Sequence, residues 1–101
     1  MIHVTARVAL KPGKAPLFLR EFREVATLVR QEHGCVDYFP TMDVPMDLPG
    51  QKVDHDTVTI LEKWTDRDAL ESHLRSGHMR SFQERVDAII RSVSLHIVEE
   101  V

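Results

Sequence analysis

The 101-residue chain is 43% hydrophobic and 29% charged, with a formal net charge of -3 and its signs interspersed; this describes one globular domain over residues 1–101 and excludes disorder. No basic block is present to displace counterions from nucleic acid, and no apolar run reaches the length of a membrane span or a signal core. Cys35 is the single cysteine, so an intrachain disulfide is excluded and a soluble protein of the reducing cytoplasm is expected.

Residues Ile2 to Leu10 alternate apolar and polar side chains, the pattern of a strand with one buried face. Lys11-Pro12-Gly13 breaks it. Phe18, Phe22, Val25 or Ala26, and Val29 recur at helical spacing, which predicts a helix from about Lys14 to His33, stopped by Gly34. Arg20, Glu21, Arg23, Glu24, Arg30 and Glu32 fall to its solvated side. Cys35 to Met42 reads as a second strand with Val36 and Tyr38 facing inward; Pro40 removes a ladder donor, so the strand is an edge or ends early. Asp43 to Asp56 is a long loop, either a lid or a plain hairpin connection.

Thr57 to Trp64 is the third strand, with Val58, Ile60, Glu62 and Trp64 on one face. Thr65 or Asp66 caps a short helix to about Arg75, whose apolar face is Ala69, Leu70, His73 and Leu74. Beyond Gly77, a helical stripe of Met79, Phe82, Val86, Ile89 and Ile90 runs to about Arg91. Val93, Leu95 and Ile97 alternate in a fourth strand. The order β-α-β, β-α-β predicts an α+β, ferredoxin-like split β-α-β antiparallel sheet with helices on one face. Phe39, Leu61 and Val98 on the other face predict a homodimer packed sheet on sheet.

Glu62 is the sharpest anomaly, a carboxylate on a face that otherwise reads as core. It is either paired, with His73 the partner in reach, or it bonds local backbone at the sheet edge. An imidazole in an apolar pocket is suited to acid–base work, because its ordinary pKa lies near working pH. His73 and His78 are the two candidates, against the alternatives of a satisfied core histidine and a helix cap. Their spacing of five across a helix break is poor for metal, and no metal site is expected. Trp64 and Tyr38 offer flat aromatic walls, and Cys35 reads as structural.

Gly34-Cys35-Val36-Asp37-Tyr38, Leu61-Glu62-Lys63-Trp64 and the run Ala69 to Met79 resemble the antibiotic biosynthesis monooxygenase (ABM) family, closest to its small bacterial quinol monooxygenases. The resemblance spans essentially the whole chain. It implies a dimeric α+β barrel with a pocket between sheet and helices. It also implies oxidation of quinols or related phenols by O2 with no metal, flavin or haem. His73, His78 and Glu62 are then the expected catalytic groups. Trp64, Tyr38, Ile60, Leu70, Phe82 and Val86 are the expected lining for a small aromatic substrate. Two departures narrow the expectation. Anthrone-oxidising relatives carry an asparagine where Ile60 stands. Haem-degrading relatives carry an asparagine and a histidine where Ala6 and Gln83 stand. Two other readings remain: an isomerase of a small oxygenated or phosphorylated metabolite held by Arg75 and Arg80, and a non-catalytic dimeric module that binds aromatics.

Overall fold

Strict alternation at the N-terminus yields the inner strand β1, Ile2–Leu10, whose even-numbered residues are buried and odd-numbered residues half-buried. The computed structural model describes residues 1–101. β1 pairs antiparallel with β3 (Thr57–Trp64) on one side and β4 (Ile90–Val98) on the other, so Ala6 sits between Ile60 and Leu95. β2 (Cys35–Met42) closes the far edge, giving the order β2-β3-β1-β4. Helices α1 (Ala15–Val29), α2 (Arg67–Leu74) and α3 (Gly77–Val86) cover one face, and a short 3-10 turn at Asp87–Ile89 leads into β4. This is the ferredoxin-like α+β fold. No helix is long and apolar enough to cross a membrane.

The core lies between sheet and helices, where Phe18, Phe22, Val25 and Val29 of α1 meet Tyr38, Val58 and Trp64 of the strands. Each fully buried side chain of this size contributes on the order of 1.5–3 kcal/mol of transfer free energy. Asp66 caps α2 by accepting the Ala69 N–H at 2.8 Å, and Ser76 caps α3 by accepting the Met79 N–H at 3.3 Å.

Four expectations change. α1 ends at Val29 rather than His33; residues 30–34 leave through tight turns, with Glu32 N–H donating to Val29 O at 3.0 Å. Val36 does not face inward. A bulge between Cys35 and Asp37 makes it the extra residue, so Cys35 opposes Trp64 and Val36 is exposed. The helical stripe stops at Val86, and Ile90 already belongs to β4. Val93, Leu95 and Ile97 do lie on the helix side by register, opposite Val8, Ala6 and Val4, yet all three are exposed because no helix reaches over that edge.

The Asp43–Asp56 loop leaves the sheet at the Met42/Thr57 end, about 20 Å from Trp64 at the rise of a strand. Arg7 on the outer sheet face holds it through two bonds to the Asp43 carboxylate, both 3.2 Å. Asp43 also accepts the Asp54 N–H at 3.0 Å. The loop is thus a pinned hairpin connection that covers no part of its own chain's His73.

Candidate active site

Period-two geometry puts Glu62 and Trp64 on the inner face of β3, opposite Val4 and Ile2 of β1. Trp64 is fully buried, and its Nε1–H donates to Glu62 Oε1 at 3.0 Å. Burial pushes the Glu62 carboxyl above its ordinary pKa, and the Glu32 carboxylate adds to the rise; the indole bond and His73 work against it.

His73 projects inward from the last turn of α2 and is 1% exposed. Its ring leans on the Trp64 indole, with centroids 4.6 Å apart, and meets Tyr38 edge-on at 5.4 Å. Nδ1 is 3.0 Å from Glu32 Oε2. Nε2 faces Glu62 Oε1 at 4.0 Å, beyond hydrogen-bond reach. His78, in the first turn of α3, sets its Nε2 2.7 Å from the same Glu32 Oε2. A carboxylate oxygen accepts from both rings when His73 Nδ1 and His78 Nε2 are the protonated nitrogens. Ser76 fixes the two histidines across the helix break, since its hydroxyl donates to His73 O at 2.8 Å while capping α3.

Glu32 is the member of this cluster that the sequence reading missed. Assigned to a solvated helix face, it is instead turned in between α2 and α3. Its position continues the stripe Phe18, Phe22, Val25, Val29 by three residues. A carboxylate at that position was the same anomaly that singled out Glu62.

Other expected residues lie close by, in packed core. Tyr38 stacks on Phe22 with centroids 5.0 Å apart, and its hydroxyl donates to Met79 Sδ at 3.9 Å. Burial, then the fields of Glu62 and Glu32, hold its phenol far above the ordinary range, so it stays neutral. Burial likewise raises the Cys35 thiol, which is unreactive in that state. Phe82 packs edge-on to Phe18 and Phe22, while Ile60 and Val86 are buried beside the same cluster. Leu70 is buried too and reaches an open apolar groove with Ile2, Leu74 and Ile97. Arg75 and Arg80 are exposed and line none of the larger clefts.

None of these five clefts is lined by Trp64, His73 or Glu62, and His73 packs directly on the indole with both rings buried. One polar cleft, of about 430 Å³, is lined by Glu32 with His33, Asp66, Asp68, Ala69, Ser72 and Ser76. Glu32 is thus one place where the cluster meets a cleft; Tyr38 lines a second and His78 a third.

The sequence model of the antibiotic biosynthesis monooxygenase (ABM) family matches residues 1–85. "Probable quinol monooxygenase YgiN" of Escherichia coli (strain K12) is 27% identical over 101 residues, covering 98% of this chain and 97% of that protein. A crystal structure of PA3566 from Pseudomonas aeruginosa superposes with a TM-score of 0.81 at 25% identity, over 99% of this chain and 93% of that one. A crystal structure described as an antibiotic biosynthesis monooxygenase also superposes at 0.81 and 25% identity, over 100% of this chain and 99% of the other. A family match over most of the chain, joined to the shared fold, supports one conclusion: this protein belongs to the antibiotic biosynthesis monooxygenase family and is of the monooxygenase kind.

Proposed function

We propose that this protein oxidises a quinol or related phenol with O2 without a cofactor, using His73 as the base. The observation that carries the reading is the His73 ring itself, buried between the carboxylates of Glu32 and Glu62 and walled by Trp64 and Tyr38. Nε2, the nitrogen without a hydrogen bond, takes the phenolic proton. Glu62 steadies the imidazolium that results. The deprotonated ring then supplies electrons to O2: one oxygen atom enters the ring, the other leaves as water, and a hydroxyquinone is formed. The protein's part is to position the ring, exclude water and hold the proton.

Entry of the ring requires room beside His73. Met79 is the side chain to give way, because an unbranched thioether repacks readily and its sulfur accepts one weak hydrogen bond, from the Tyr38 hydroxyl. The outer sheet face, with Phe39 and Val98 exposed beside half-buried Leu61, pairs two copies in this reading.

Reduced menadione, mixed anaerobically with the protein, is expected to consume oxygen on opening far faster than in buffer. His73→Ala is expected to slow turnover by about a hundredfold or more, with KM little changed. A wild-type rate equal to buffer, or an undiminished rate in His73→Ala, rejects the proposal. The direct packing of His73 on Trp64 favours one other reading, a dimeric module that binds aromatics without turning them over. Tight menadione binding with no oxygen uptake is the result that reading requires. Nothing in the placement of Arg75 and Arg80 favours an isomerase.

A further inference from the structure

We propose that Glu32 is a proton-positioning residue: it connects the buried His73 to the solvent-facing His78, so that a proton taken up in the interior leaves through its carboxylate. This rests on the monooxygenase reading for the source of the proton. It stands on geometry that nothing in the family match assigns. One oxygen, Oε2, contacts both rings, at 3.0 Å from His73 Nδ1 and 2.7 Å from His78 Nε2. Side-chain exposure falls along the row, from 26% at His78 to 14% at Glu32 and 1% at His73. A carboxylate held only for packing does not need an imidazole on each side of a single oxygen. A route for protons needs that arrangement, with each hop shorter than about 3.2 Å.

The transfers balance. His73 accepts the phenolic proton at Nε2 and passes its Nδ1 proton to Glu32 Oε2. Solvent moves the ring proton of His78 from Nε2 to Nδ1. His78 Nε2 then accepts the carboxyl proton, and Nδ1 releases its own to water. In the second half of the reaction His78 takes a proton from water at Nδ1 and passes its Nε2 proton to Glu32. Glu32 delivers that proton to His73 Nδ1 as the oxygen that leaves as water takes the one on His73 Nε2, and solvent returns the His78 ring proton to Nε2. Each residue finishes with the protons it began with.

The charged and titratable groups around Glu32 come from every element packed there. His73 and Asp68 belong to α2 and Asp66 to its cap, His78 to α3, Glu62 to β3, Cys35 and Tyr38 to β2, and His33 to the turn after α1. Arg30, at the end of α1, is committed to the Tyr38 carbonyl at 3.0 Å. The two histidines are thus the only groups that hydrogen-bond the Glu32 carboxylate.

The test pairs two measurements on the full chain with ring-15N-labelled histidine. The first is exchange of the His73 ring protons with water by NMR. Glu32→Gln keeps a hydrogen-bond acceptor and loses the capacity to carry a proton. It is expected to slow that exchange by roughly tenfold or more. A merely structural role predicts the opposite, since loosening the site leaves exchange equal or faster, and that outcome overturns the proposal. The second is oxygen uptake with reduced menadione. Glu32→Gln is expected to lower kcat by about a hundredfold, with partial recovery as imidazole buffer is raised, while the wild type ignores buffer concentration. A loss of kcat with no response to buffer also overturns it. If Glu32→Gln does not fold, His78→Gln removes only the outlet and is expected to show the same slowed exchange and the same rescue. A wild type that oxidises no quinol overturns the monooxygenase reading alone; the exchange measurement still decides whether Glu32 carries protons.

Discussion

Trp64 and Glu62 stand two positions apart on one strand and satisfy each other in the core, the indole Nε1–H donating to Oε1 at 3.0 Å. The strand's period makes the pair unavoidable once both side chains face inward. A buried indole nitrogen and a buried carboxylate each need a partner, and each is the other's nearest one. Trp64→Phe keeps the aromatic wall and removes that donor. The variant is expected to lose about 1–3 kcal/mol for the acceptor left unsatisfied. Thermal unfolding checks it, at roughly 4–8 °C per kcal/mol for a domain of this size. A melting temperature equal to wild type contradicts the pairing.

Glu62 predicts an unusual response to pH. Its carboxyl is raised in the folded state by burial, so the folded chain binds this proton more tightly than the unfolded chain does. The associated stability is fully present below the ordinary glutamate pKa. It is lost as pH rises through the folded value. Glu62→Gln keeps an acceptor for Trp64 and carries no charge. It is expected to exceed wild type in stability at neutral pH, by a margin that shrinks as pH falls toward 4.5 and below. Urea unfolding of both proteins across that range is the measurement. The same substitution is expected to slow quinol oxidation by about tenfold to a hundredfold, because the imidazolium loses its inner counter-charge. A variant less stable than wild type throughout excludes the buried, raised carboxyl.

Gly34 fixes the turn that swings Glu32 inward. Its φ is +84°, and a Cβ there would lie 2.5 Å from Ala69 Cβ and 2.6 Å from Thr65 Oγ1. Its carbonyl accepts the Thr65 N–H at 2.9 Å, tying the turn to the start of α2. Gly34→Ala therefore combines backbone strain of about 1–2 kcal/mol with a clash against α2. The expected loss is at least ~2 kcal/mol. Thermal melting reads the loss, and the His73 and His78 ring resonances should move with it. Unchanged ring resonances in a folded Gly34→Ala chain would show that the turn does not set the site.

On the outer face, Leu61 lies between Thr5 and Phe39 in the sheet register. If two copies meet there, Leu61→Asp places a like-charged pair at the centre of a self-complementary patch. Sedimentation is expected to give twice the 11.6 kDa chain mass for wild type and the single mass for the variant. A wild type that sediments as a monomer at micromolar concentration removes the dimer.

Much of the fold was legible in the sequence because it rests on periodicity. Ile2 to Leu10 and Thr57 to Trp64 alternate, so strand parity alone put Val4, Ala6, Ile60, Glu62 and Trp64 on the buried side. The stripe from Phe18 to Val29 likewise announced α1. What failed was local and geometric. The bulge that exposes Val36 changes parity within β2, and no residue type near it signals the extra position.

Glu32 marks the boundary between the two kinds of knowledge. Sequence periodicity determined that Glu62 would be buried, because a strand's alternation is intrinsic to its backbone. Only the tertiary structure decided which groups would meet: Glu32 and His73 are 41 positions apart, and they touch because α1 stops at Val29 and the chain turns through Gly34 against α2. Contacts of that range follow from how turns aim the chain, which the order of apolar and polar residues does not encode.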